Sequence, residues 1–290
     1  MALGARSGIV DGAASILVLL WLGWPGSQAT AQVSGPKVDY LKNIQLCNGV
    51  GHTPPDARIE GCTAVIRADQ AAATALPIAY NNRGIAYTAK GDYDRAIQDF
   101  DQSIKLNQTY TKPVNNRGVA YLRKGEYDAA IKAFDEAIKL KPDYGEAFAN
   151  RAGAYLKKKE YDRAARDFDE AIRIDPGLQA AWHGRCWSRA ILGALQAALE
   201  DCNKALQSEP DSAVTYDSRG LIRLKMGQLG PAIDDFNSAL RFDPKLASAL
   251  YGRGYARLKN GDKAGSESDI AAAKTIDAEI EDSFARFGVR

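Results

Sequence analysis

The sequence predicts an all-α fold, a solenoid of stacked helix-turn-helix units, on three observations. The first is a period: Asn81–Gln108 recurs from Asn115 and again from Ala149, each copy displaced by 34 residues, with weaker copies from His183, Asp217 and Tyr251. The second is that each copy holds two helix-periodic halves separated by a turn. The third is that a unit this short cannot bury its apolar face alone, so neighbours must stack to build a continuous core. A chain of 290 residues has the length of two ordinary domains, but a solenoid grows by adding units, so one elongated domain is expected.

The amino terminus differs in kind. Arg6 precedes the apolar run Ala13–Trp24, followed by Pro25-Gly26 and by Ala29-Thr30-Ala31 before Gln32. This reads as a secretory signal peptide over 1–31 with an A-x-A cleavage site. The run is about a dozen residues, short of the ~20 that span a bilayer. No cysteine stands at the cleavage point for lipid anchoring, so the mature chain is expected to be exported, periplasmic or secreted, with no stable membrane span. Export places the four cysteines in an oxidising compartment, where sequence alone allows two disulfides in three connectivities.

Residues 32–76 form an N-terminal segment. Within it Asp56–Arg67 reads as the second helix of a degenerate leading repeat, with Leu41–Cys47 as the vestige of its first. In the unit that follows, Tyr80–Ala89 is helix-periodic, Gly91 breaks it, and Tyr93–Leu106 resumes around Ala96, Ile97, Phe100 and Ile104. Gly125, Gly193, Gly227 and Gly261 repeat the turn glycine, which tolerates positive φ after a helix. Acidic residues open the second helices, as Asp92, Glu126 and Glu160 do, where they complement the helix dipole. Pro142, Pro176, Pro210 and Pro244 close them, since proline cannot continue a helix. Small residues recur where helices approach (Gly84, Gly118, Gly220 and Gly254), with Phe100, Phe134, Phe168 and Phe236 as the large complement. After the last unit Glu279–Phe287 continues the helical pattern with Phe284 and Phe287 on one face, so 281–290 is expected to end a capping helix and tail.

This combination of period, small positions, turn and terminal proline resembles the tetratricopeptide repeat. The resemblance covers about 70% of the chain, as six units over 77–280: 77–110, 111–144, 145–178, 179–212, 213–246 and 247–280. It implies a right-handed superhelical solenoid whose first helices line a concave groove, and a partner protein held there. It also implies that Cys186 and Cys202, at the eighth and twenty-fourth positions of the fourth unit, face each other and pair, which leaves Cys47 to pair with Cys62. Closing a loop of about 15 residues contributes about 3 kcal/mol in the chain-entropy model. A zinc site using His52 lacks a fourth ligand, so no metal is expected.

The chain departs from the family by placing arginine at the seventh position of every unit: Arg83, Arg117, Arg151, Arg185, Arg219 and Arg253. A basic ladder for an anionic ligand is one reading. An internal ion-pair ladder is preferred, because Asp99, Asp167, Asp201, Asp235 and Asp269 recur at the twenty-third position and a buried guanidinium needs a carboxylate. Only the second unit, with Ala133, lacks that acid. At the eleventh position units one to three carry Tyr87, Tyr121 and Tyr155, whereas units four to six carry Arg189, Arg223 and Arg257. This calls either for an extra acidic row or for an anion site.

Asn82, Asn116 and Asn150, with Asn81 and Asn115 beside them, form an amide row that suits the main chain of an extended peptide. Capping of local backbone is the alternative. Arg123 and Lys157, with Lys225 and Lys259, form a basic edge, although cations at a helix end also complement its dipole. Trp187 and Tyr255 are the expected apolar anchors of the later units. The ninth position, Ile85, Val119 and Gly153, departs from the carboxylate-clamp pattern of the family.

A net charge of +2 gives no overall bias towards nucleic acid. His52 and His183 lie far apart with no nucleophile, phosphate loop or metal cluster beside them, so no catalysis and no cofactor are expected. The sequence therefore reads as a non-enzymatic scaffold or adaptor that binds an extended segment of another protein. The alternatives are a self-associating assembly factor and an accessory subunit that localises an envelope enzyme.

Overall fold

The structure, a computed structural model, describes residues 36–68 and 72–289. The expected signal peptide, residues 1–31, lies outside the described residues. Among the described residues there are fifteen helices and no strand, as the period requires. They fall into two compact units, one ending at Asp143 and one beginning at Tyr144.

The unit ending at Asp143 holds α1 (Pro36–Asn48), α2 (Pro55–Arg67), α3 (Ala75–Ala89), α4 (Tyr93–Leu106), α5 (Thr111–Lys124) and α6 (Tyr127–Leu140). The degenerate leading repeat is a true helix pair: Gly61 lets α2 lie against Leu46 and the backbone of Asn43 and Cys47, where a Cβ would sit 2.5 Å from the Leu46 side chain. The Cys47–Cys62 disulfide closes that pair. Within α3 and α4 the Gly84–Phe100 contact sets the helix spacing, because a Cβ on Gly84 would meet the ring at 2.6 Å.

The unit beginning at Tyr144 holds α7 (Gly145–Lys157), α8 (Tyr161–Ile174), α9 (Gln179–Ile191), α10 (Leu195–Ser208), α11 (Ala213–Lys225), α12 (Leu229–Phe242), α13 (Ala247–Lys259), α14 (Lys263–Ile276) and α15 (Ile280–Phe287). The Phe236 ring is clamped between Gly220 of its own helix pair and Gly252 of the next, with no room for a Cβ at either position. In α9 and α10 the same two positions carry Cys186 and Cys202, and a disulfide takes the place of the glycine–phenylalanine contact. Each fully buried phenylalanine also supplies apolar burial worth several kcal/mol.

The turn inside each pair needs a residue in the left-handed region. Gly125 supplies it with φ +90°, whereas the third repeat uses Lys159 at φ +62°, which costs a side-chain-bearing residue about 1–2 kcal/mol. The exits from the second helices share one geometry. Lys141, Asp175, Glu209 and Asp243 are held out of the helical region, as expected before proline. Asn107 and Asp277 adopt the same conformation with no proline after them. The proline therefore reinforces an exit that the closing bond, such as Asn107 N–H to the Ser103 carbonyl, already defines.

Within each unit every helix packs on the next, and first helices of successive pairs also pack on each other: α1 with α3, α3 with α5, α7 with α9, α9 with α11 and α11 with α13. Second helices, among the described residues, have no comparable packing on one another. Each unit therefore curves with its first helices on the inside.

Candidate functional site

The arginine row is internal. Arg83 grips Asp99 through Nε and Nη2, both at 2.8 Å, and Arg151, Arg185, Arg219 and Arg253 make the same two-pronged contact with Asp167, Asp201, Asp235 and Asp269. The Asp99 hydrogen bond holds the Arg83 guanidinium above its ordinary range. An aromatic residue three positions earlier lies under the cation in four pairs: Tyr80, Phe148, Trp182 and Tyr216. Arg117, which lacks the usual aspartate, turns to Glu136 at 2.6 Å and to Asp101 of the preceding repeat at 2.7 Å.

The eleventh-position arginines share the ladder aspartates, and Arg189 also reaches Asp169 at 3.2 Å and Arg257 Asp262 at 3.7 Å. Arg189 joins Arg185 on Asp201, Arg223 joins Arg219 on Asp235, and Arg257 joins Arg253 on Asp269. In repeats one and three a guanidinium comes instead from the second helix, with Arg95 and Arg163 stacked on Tyr87 and Tyr155. In repeats one and three tyrosine at the eleventh position thus goes with arginine at the nineteenth, repeat two has Tyr121 with Ala129, and arginine at the eleventh goes with a small or cyclic residue there.

The asparagine row divides by depth. Asn81 and Asn82 have no exposed surface, and Asn115 is 4% exposed. They bond among themselves and across helices: Asn81 Nδ2 donates to Asn82, Asn82 Nδ2 to Asn48, and Asn116 Nδ2 to Asn81 at 2.9 Å. These three positions are a correction to the peptide-facing reading, since a buried amide needs its bonds within the protein. Asn116 is half-buried on α5, beside half-buried Val119 and Leu122 and exposed Arg123. Ile85 of α3 lies on the same inner face. In the second unit Asn150 and Lys157, both on α7, are half-buried and exposed respectively.

The inner face of the second unit is covered in part by α15. The Trp187 ring stacks on Phe287 with centroids 5.1 Å apart and planes 7° from parallel. Phe284 packs on Tyr251 at 4.7 Å. Trp187 is therefore not an open anchor, and Tyr255 borders a recess beside the tail. The spacing of Phe284 and Phe287 signalled a capping helix, but nothing in the pattern told that it returns to the fourth repeat.

His183 Nε2 lies 3.1 Å from Ser218 Oγ, an arrangement to test for nucleophilic chemistry. Ser218 Oγ donates its proton to the Val214 carbonyl at 2.9 Å, so the imidazole is the donor to that oxygen and cannot act as its base. Burial lowers the His183 pKa to about 4, which keeps the ring neutral. Asp217 nearby in sequence is pushed up to about 7 by burial, opposed by the Ser248 hydroxyl that donates to Oδ2. Its Oδ1 is buried without a partner.

Comparison with known proteins decides the family. Family models described as tetratricopeptide repeat match residues 77–110 and 115–178, and one described as TPR repeat matches 220–261. The chain belongs to the tetratricopeptide repeat family. Among solved structures it is similar to a tetratricopeptide repeat protein from Parabacteroides merdae, 18% identical, covering 87% of this chain and 99% of that one with a TM-score of 0.63. It is also similar to PilF of Pseudomonas aeruginosa, 15% identical over 73% of this chain and 98% of that one, with a TM-score of 0.65. YrrB, described as a TPR protein with an unusual peptide-binding site, is 19% identical over 62% of this chain and 93% of that one, with a TM-score of 0.53. No curated protein matches. At these identities the structural likeness speaks for the tetratricopeptide fold alone.

Proposed function

We propose that this tetratricopeptide protein is a non-enzymatic scaffold of the periplasm or secreted space that binds an extended peptide segment of another protein on its inner face. Tetratricopeptide repeats generally mediate protein–protein interaction, and YrrB is a peptide-binding example of the fold. The observation that carries the reading is the inner face of the unit ending at Asp143, which no other element among the described residues covers. There Ile85, Val119 and Leu122 are partly exposed side by side with the Asn116 amide and the Arg123 guanidinium. Such a strip offers apolar area for side chains and polar groups for a peptide backbone. Export is supported by the two disulfides, which persist in oxidising compartments, and no helix among the described residues is long and apolar enough to cross a membrane.

The test is capture of partners from the exported fraction by the mature chain. The double variant Asn116→Ala/Arg123→Ala is expected to lose most of the captured partner while its helical circular-dichroism signal is unchanged. Capture at the wild-type level would remove this strip as the binding surface.

A further inference from the structure

The second unit ends in a way that stacking alone does not require. α15 starts three residues after α14 and crosses the inner face instead of forming the first helix of another pair. Phe284 meets Tyr251 of the sixth repeat, and one turn later Phe287 reaches Trp187 of the fourth, with the Lys225 ammonium 4.3 Å above its ring. The apolar stripe is buried Ile280 and Phe284 with partly buried Phe287, continued by buried Val289. This is the i, i+4, i+7 pattern of a helix laid in a groove. Its polar side, Glu281, Asp282 and Arg286, is exposed, and Glu281 pairs with Lys274 at 2.5 Å.

Two features mark this seat as larger than its tenant. α15 has eight residues, below the ~12–15 at which an isolated helix begins to hold in water, so it stays helical only while the face holds it. Among the described residues a recess of about 370 Å³ borders its end, lined by Leu224, Leu229, Tyr255, Lys225, Lys259 and Val289. A longer helix would fill it, with acidic residues placed against the two lysines.

We propose that the inner face of α9, α11 and α13 is a docking site for an amphipathic helix of a partner protein, and that α15 occupies it in cis as a displaceable stand-in. The partner helix carries an aliphatic residue at i and aromatic residues at i+4 and i+7, an acid beside the first, and further acidic residues past its end. Because α15 is tethered, it competes at high effective concentration, and the face opens only to a partner that makes more of these contacts. This face is separate from the strip on α3 and α5, so either assignment can fail without the other.

The probe is a labelled synthetic peptide of residues 277–290, DAEIEDSFARFGVR, added to the full mature chain. The variant Phe284→Ser/Phe287→Ser, which frees the face, is expected to bind the peptide at least tenfold more tightly than wild type. Adding Trp187→Ala to that variant is expected to abolish the gain. Equal affinity for wild type and the folded double variant overturns the proposal. If the double variant does not fold, hydrogen exchange on wild type decides: excess peptide speeds exchange of the α15 amides if the site is shared, and an unchanged rate overturns it. A concentration-dependent dimer that exchanges α15 between copies assigns the face to a second copy, and likewise overturns a partner helix.

Discussion

The inner faces of the two units are built from the same positions of the same repeat, yet they behave as different materials. In the first unit the fifth position carries Asn81 and Asn115, buried amides, and Asn81 bonds to the neighbouring Asn82 and Asn116. In the second it carries His183 and Asp217, groups that can change charge, and the chain's own α15 lies across the apolar residues beside them. Packing positions are held constant by the need to stack, so the units diverge where stacking makes no demand. One face is lined by amides and a basic edge and is open among the described residues; the other carries buried ionisable groups and is partly occupied.

The ladder gives the largest expected difference. Asp99 serves one arginine, and Thr63 also accepts from Arg83; Asp235 neutralises both Arg219 and Arg223. Asp235→Asn is expected to destabilise by about 3–5 kcal/mol, since it strands two partly buried guanidinium groups. Asp99→Asn is expected to cost roughly half of that by the same reasoning. Urea unfolding of the two variants checks the ranking, and equal costs would mean that the shared aspartate is no more important than the single one.

Next in size is a pH response confined to the second unit. Burial raises the Asp217 pKa from 3.8 to about 7, so its contribution is fully present below about pH 4 and is lost as pH rises through 7. Burial lowers the His183 pKa from 6.5 to about 4, so its contribution is present above about pH 6.5 and is lost as pH falls through 4. The two slopes oppose each other in one window and offset in the wild type. Asp217→Asn is expected to gain stability relative to wild type as pH rises from 4 to 7. His183→Gln is expected to gain relative to wild type as pH falls over the same range. Urea midpoints at several pH values check both, and parallel profiles for all three proteins would refute the opposition. The matching positions in the first unit, Asn81 and Asn115, do not titrate.

The smallest effect concerns the turns. Lys159 holds the left-handed conformation that glycine supplies in the other five repeats, so Lys159→Gly is expected to stabilise the second unit by about 1 kcal/mol. A thermal melt measures it, and a loss of stability would show that the lysine side chain contributes more at this turn than its strained backbone costs.

Much of this was legible before any coordinates. The 34-residue period, the turn glycines and the Phe100-type residues report local geometry that repeats, so they name the helix pairs and the family. The Arg83–Asp99 pairing was readable because both residues recur in step. Depth was harder to read. Asn81 and Asn82 are adjacent polar residues on a helix, and only the closeness of Asn48 and Asn116 makes both of them buried. The sharing of Asp201 by Arg185 and Arg189 was missed because counting partners assumes one acid for each base. The seat of α15 was missed because an amphipathic segment names its apolar side but not the surface that receives it.

The ladder arginines also bear on how such a chain grows. Arg117, Arg185, Arg219 and Arg253 each reach the twenty-fifth position of the preceding repeat, meeting Asp101, Asp169, Asn203 and Asn237. All four also hold a carboxylate inside their own repeat. Each of these four repeats therefore brings its half of a joint to the repeat before it, and the halves are alike. Duplication of a single 34-codon block would insert a repeat whose joints are satisfied at once, and its deletion would leave none open. The chain length is thus free to drift by whole repeats without passing through a poorly folded ancestor.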